Sequence, residues 1–143
     1  MNTYETKTVE EFQGVVKDFF PTLDSDTHVV AFVGDLGTGK TTAVQYIAEI
    51  LGISEPLTSP TFTLAQFYRD FESAKFDQLI HIDAYRLDDY SELKVLGFEE
   101  WCNDPKNLIC IEWPNQVSVP EEYIDRTITI THTGGAARNI KIA

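Results

Sequence analysis

The chain has 143 residues, 43% of them hydrophobic and 12% aromatic, which suits one domain with one continuous core and is short of two. No apolar run approaches the roughly 20 residues of a membrane span, and residues 1–17 lack the basic and apolar regions of a secretory signal, so a cytoplasmic protein with no membrane contact is expected. Eleven Lys and Arg against 23 Asp and Glu give a net charge of −12, which repels phosphate backbones and excludes autonomous nucleic-acid binding; the charge serves solubility or an acidic docking face.

Thr8-Val-Glu-Glu11 has the form of a capping box, so a helix should follow. Phe12, Val15, Val16, Phe19 and Phe20 recur at helical spacing until Pro21 stops them. His28–Val33 is short, β-branched and apolar throughout, as a parallel strand covered on both faces must be. It runs into Gly34, after which Val44, Ile47, Ala48 and Leu51 mark a helix that Gly52 ends. Strands are expected over Phe62–Tyr68 and Gln78–Ile82, the second running into Asp83. Leu87–Phe98 carries a short helix with Ser91 as its N-cap. Leu108–Glu112 reads as a second doubly buried strand, followed by Pro114. Thr127–Thr131 alternates as a strand with one solvated face, and Asn139–Ile142 is placed to pair with it through a Gly134-Gly135 turn. Cys102 and Cys110 form no C-x-x-C pair, which argues against a disulfide scaffold or a zinc module.

Gly34-Asp35-Leu36-Gly37-Thr38-Gly39-Lys40-Thr41 matches G-x-x-x-x-G-K-[ST], the P-loop, with the required strand before it and helix after it. Glycines let successive backbone N–H groups turn inward around phosphates, and the helix adds its positive N-terminal end. Lys40 then reaches the β and γ phosphates, the Thr41 hydroxyl is available to Mg²⁺, and Thr42 continues the cradle. A P-loop nucleotidase also needs acids near the metal at the carboxyl ends of neighbouring strands. Asp83 and Glu112 both qualify. Either holds Mg²⁺, directly or through water, while the other orients the attacking water or supports the first; an acid after a strand also serves as a helix cap. Ser59-Pro-Thr61-Phe-Thr63 reads as a turn, or as a nucleotide-sensing loop that offers its threonine hydroxyls to metal or γ-phosphate. His81 reads as a satisfied core histidine and Trp113 as a core residue that could also pack near the nucleotide.

Taken in order, Gly34–Thr42, Ser59-Pro-Thr-Phe-Thr-Leu64, His81-Ile-Asp-Ala-Tyr-Arg-Leu87 and Ile111-Glu-Trp-Pro114 resemble the bacterial TsaE (YjeE) family, small ATPases of threonylcarbamoyladenosine synthesis in transfer RNA. The resemblance implies that Lys40 and Thr41 are the phosphate and magnesium residues, Glu112 a magnesium ligand, Asp83 the acid needed for turnover and Thr61 a switch-like threonine. It also implies ATP as substrate, Mg²⁺ as cofactor and a TsaB–TsaD complex as partner, the latter carrying the transferase and the contact with tRNA.

A GTPase should show D-x-x-G and N/T-K-x-D motifs, whereas Asp83 is followed by Ala-Tyr-Arg and no N/T-K-x-D occurs; ATP fits better. A small-molecule kinase needs clamping cations, and Arg69, Arg86, Arg126 and Arg138 are scattered, with only Arg86 near enough to Asp83 to face the site. A nucleotide-dependent binding module without turnover is the non-enzymatic alternative. The expected fold is α/β of the P-loop NTPase type, with a mostly parallel central sheet, added antiparallel strands and helices on both faces. The stretch Asp88–Asp104, with its acids and with Leu93, Leu96, Phe98 and Trp101, reads equally as a docking face or as a core-facing helix.

Overall fold

The computed structural model describes residues 2–55, 57 and 64–143. The chain order is β1 (Asn2–Thr6), α1 (Val9–Phe19), β2 (Val29–Val33), α2 (Lys40–Leu51), β3 (Ala65–Tyr68), β4 (Gln78–Asp83), α3 (Tyr90–Leu96), α4 (Phe98–Asn103), β5 (Asn107–Glu112), β6 (Arg126–Gly134) and β7 (Ala137–Ile142). Seven strands form one sheet in the order β1-β7-β6-β2-β5-β4-β3. Its centre, β6-β2-β5-β4, is parallel, and β3, β7 and β1 join antiparallel.

The two faces follow from the side-chain alternation of extended chains. Val30 and Phe32 of β2, Leu79 of β4 and Cys110 of β5 pack with Phe12, Val16 and Phe19 of α1 and Val44, Ile47 and Leu51 of α2. Val29, Ala31, Ile80, Ile82, Ile109 and Ile111 point the other way, onto Leu93 of α3 and Phe98 and Cys102 of α4. Central strands covered on both sides must be apolar at every position, which explains the unbroken apolar runs of β2 and β5.

Local chemistry sets the helix ends. The Thr8 hydroxyl accepts the Glu11 N–H at 3.1 Å, and the Glu11 carboxylate accepts the Lys7 N–H at 2.7 Å, one residue earlier than a capping box requires. The sequence places the next cap at Ser91. The structure corrects this to Asp89, whose carboxylate accepts the Ser91 N–H at 2.5 Å while its own backbone stays extended. A carboxylate is a stronger acceptor for the exposed N–H groups of a first turn than a hydroxyl already inside that turn. The expected single helix over residues 87–98 is also broken at Gly97, whose φ of 111° lies in the left-handed region that ends α3 and starts α4.

One further boundary shifts, and one strand was not expected at all. Strand β3 begins at Ala65, and residues 62 and 63 lie outside the described residues. Strand β1 has no sequence signal because Asn2, Thr3, Tyr4 and Glu5 are exposed and only Thr6 is buried; its pairing with β7, from Asn2↔Ile142 to Thr6↔Arg138, makes it a strand. Of the four apolar residues in the stretch that reads equally as a docking face or a core-facing helix, Leu93 and Phe98 are buried in the core and Trp101 is half-buried against Phe67. Leu96 and Val95 are exposed, Val95 by 86%.

Phe32 is fully buried in the middle of the sheet. Phe32→Ala should lower the unfolding free energy by about 3–5 kcal/mol, and Val95→Ala by less than about 0.5 kcal/mol, as read from urea unfolding of the two variants.

Candidate functional site

The site is built where three parallel strands end together. Phe32 of β2 is in register with Glu112 of β5, and Glu112 with Asp83 of β4. Both carboxylates therefore emerge at the carboxyl edge of the sheet, where open α/β folds bind ligands. Beside them β2 passes through Gly34 into the glycine loop, and α2 starts at Lys40 with Gly39 as its N-cap. The loop has to lie close to the neighbouring strand: a Cβ on Gly34 would sit 2.4 Å from the Ile130 carbonyl oxygen of β6 and 2.8 Å from the Thr38 hydroxyl. No side chain fits there.

A cavity of 330 Å³ opens over this edge, lined by Leu36, Gly37, Gly39, Lys40, Thr41 and Thr42 from the loop and helix and by Asp83, Tyr85, Glu112, Trp113 and Arg138 around them. Gly34, Asp35 and Thr38 do not line it; they shape the loop from behind. Lys40 is only 5% exposed. Its ammonium donates to the carbonyls of Gly34 at 2.7 Å and Asp35 at 2.8 Å, and lies 4.3 Å from the centre of the Trp113 ring. Burial pushes its pKa below that of an ordinary lysine, against the opposing pull of Glu112, Asp83 and Asp35.

Glu112 is 3% exposed. The Thr41 hydroxyl donates to its two oxygens at 3.0 and 2.9 Å, and His81 Nε2 lies 2.5 Å from Oε2. His81 is thus buried as expected, yet it is not fully satisfied: Nδ1 finds no partner among the described residues. The ring on β4 reaches across to β5 and holds the acid from behind. Asp83 is half-buried, and burial raises its pKa above the usual carboxylate range, opposed by the hydrogen bond from the Tyr85 N–H at 3.0 Å and reinforced by the nearby charge of Glu112.

The donor set suits a magnesium ion: hard oxygens from a hydroxyl and two carboxylates beside a phosphate cradle. Among the described residues no cluster of three or more His, Cys, Asp and Glu side chains could hold a metal ion. A larger cavity of 430 Å³, lined by Ala31, Val33, Ile124, Asp125 and others, has no Lys or Arg among its described lining residues. Lys40 and Arg138 line the smaller one.

The structure takes up the second of the two readings of Trp113 and adds a residue that the sequence left scattered. Trp113 takes a left-handed conformation, φ 60° and ψ 45°, which turns its ring over Lys40 and against Tyr85, 4.9 Å away. Arg138, one of four scattered arginines in the sequence, lines the cavity because β7 folds back beside the loop. Arg86 is exposed after β4 and is not among the lining residues. Thr61 and Thr63 lie outside the described residues.

A glycine loop between a central parallel strand and a helix, with a buried lysine, a threonine and a strand-end acid at its head, defines a P-loop nucleotide-binding protein. The family model described as threonylcarbamoyl adenosine biosynthesis protein TsaE matches residues 6–140, and the chain belongs to that family. It is 35% identical over 127 residues to the tRNA threonylcarbamoyladenosine biosynthesis protein TsaE of Borreliella burgdorferi, covering 89% of this chain and 88% of that protein. The protein of the same name from Bacillus subtilis is 36% identical over 114 residues, or 78% of this chain and 66% of the relative. The crystal structure of Bacillus subtilis YdiB superimposes with a TM-score of 0.71 at 27% identity, over 99% of this chain and 83% of that one. Among the described residues no helix is long and apolar enough to cross a membrane.

His81→Ala removes one of the groups that hold the buried Glu112 carboxylate and should lower the unfolding free energy by about 1–3 kcal/mol. Urea unfolding of the variant beside the wild type measures the loss.

Proposed function

We propose that this chain is a single-domain, cytoplasmic ATPase that binds ATP in the P-loop cavity and hydrolyses it slowly to ADP and phosphate. It acts with a TsaB–TsaD complex in the threonylcarbamoyladenosine modification of tRNA, and meets tRNA only through those partners. The observation that carries the reading is the grouping of buried Lys40 with Thr41, Glu112 and Asp83 at one edge of the sheet. The names of the relatives support the place in tRNA modification, and the net charge of −12 supports an indirect link to tRNA.

The roles follow from the geometry. The loop N–H groups and the N-terminal end of α2 take the phosphates. Lys40 exchanges its two carbonyl partners for phosphate oxygens, a charge-assisted contact that strengthens as negative charge gathers there. Thr41 and Glu112 would hold Mg²⁺, with Asp83 beside them; when bound, the ion neutralises developing charge on the phosphates. Asp83, at the cavity wall, orients the attacking water. His81 keeps the Glu112 carboxylate in one orientation. Lys40 and Arg138 are the cations of the described lining, few for a kinase, which must clamp a transferred phosphoryl group. Turnover by the isolated chain is therefore slow, and partners speed it.

Lys40→Ala should abolish measurable ATP binding, read from Trp113 emission in a Trp101→Phe background. Asp83→Asn and Glu112→Gln should each cut turnover by about 100-fold or more while changing ADP affinity far less, because their contacts strengthen in the transition state. Phosphate release is measured for the chain alone and with a TsaB–TsaD pair. Release without added acceptor, raised by the pair, supports the ATPase; release that needs an acceptor molecule indicates a kinase, and tight binding without release indicates a binding module.

A further inference from the structure

The β6–β7 hairpin touches the glycine loop at both of the loop's ends. At the start, the Ile130 carbonyl of β6 occupies the space that a Gly34 side chain would need. Near the end, Arg138 Nε on β7 donates to the Thr38 carbonyl at 2.7 Å, across 100 residues of sequence. The same guanidinium donates through Nη1 to the carbonyls of Gly135 at 2.8 Å and Ala137 at 2.9 Å. One planar group thus ties the hairpin turn to the loop, and it does so at the wall of the nucleotide cavity.

The bond to Thr38 has a directional consequence. The described peptide bonds are trans, and in a trans peptide the C=O and the following N–H point in opposite directions. Holding the Thr38 carbonyl toward Arg138 on β7 turns the Gly39 N–H away from the hairpin. Gly39 is the N-cap of α2 and lines the cavity, so its N–H is one of those left without a partner inside the helix and available to an anion. We propose that Arg138 is a positioning residue of the nucleotide site, which presets the P-loop for phosphate by fixing the Thr38–Gly39 peptide from the β6–β7 hairpin. The inference rests on the nucleotide-binding reading above and adds a residue and a supporting element to it. A lysine cannot replace this arginine, because a single ammonium lacks the planar fork that holds carbonyls of both hairpin and loop.

Dissociation constants for Mg-ADP and Mg-ATP are measured on the full chain as wild type, Lys40→Ala, Arg138→Gln and Arg138→Lys, together with amide hydrogen exchange across residues 34–42 in the nucleotide-free proteins. Both Arg138 variants should weaken both nucleotides about tenfold or more, with a smaller change in turnover at saturation, and should speed exchange in the loop while the amides of β2 and β5 stay protected. Wild-type affinity in Arg138→Gln overturns the inference. So does full rescue by Arg138→Lys, which would mean that charge alone matters. If Arg138→Gln melts early, Arg138→Lys decides, since it keeps the charge and the stem of the side chain. Failure of the wild type to bind either nucleotide rejects the underlying reading instead, and the exchange measurement, which needs no nucleotide, still decides whether Arg138 orders the loop.

Discussion

The buried ammonium of Lys40 constrains the rest of the site. A charge taken out of water is costly unless it is fully bonded, and at 5% exposure Lys40 has little water to use. It is held by carbonyls five and six residues earlier in its own loop and by the face of an indole. Those partners exist only if the chain doubles back tightly after β2. Doubling back brings Gly34 against the backbone of β6, where a side chain has no room. The C-terminal strands β6 and β7 therefore do more than widen the sheet; they form the wall on which the loop is folded.

Two acids set the other side of the site. Glu112 is buried and bonded by Thr41 and by His81, whereas Asp83 is half-buried, with a backbone N–H to accept and the charge of Glu112 nearby. Their environments set two similar carboxylates apart: Glu112 is held in one orientation by its hydrogen bonds, and Asp83 is the more open of the two at the cavity wall. The division depends on register: Asp83 and Glu112 are direct neighbours on adjacent parallel strands, and a slip of one residue would turn either acid into the opposite core of Ile80, Ile82, Ile109 and Ile111.

On the opposite face, α3 and α4 close the core with Leu93, Phe98 and Cys102 and leave Val95 and Leu96 in solvent. The presence of Leu93, Leu96, Phe98 and Trp101 in that stretch does not say which of them turn inward. The break at Gly97 decides it, because it rotates α4 relative to α3 and commits Phe98 to the core.

What the sequence determined by itself was local. The P-loop spacing, the apolar runs of β2 and β5, the alternation of β6 and the strand-end acids Asp83 and Glu112 are all patterns within about ten residues, and each dictates its conformation through sterics and side-chain periodicity. The tertiary structure decided what depends on partners far along the chain. Asn2–Thr6 is a strand because β7 offers it an edge. His81 belongs to the site because Glu112, 31 residues on, lies within reach of its ring. Arg138 belongs to it because the hairpin returns beside Thr38 after 100 residues. A hydrogen bond across a sheet is fixed by strand order and register, and neither is written in the spacing of residues along one segment.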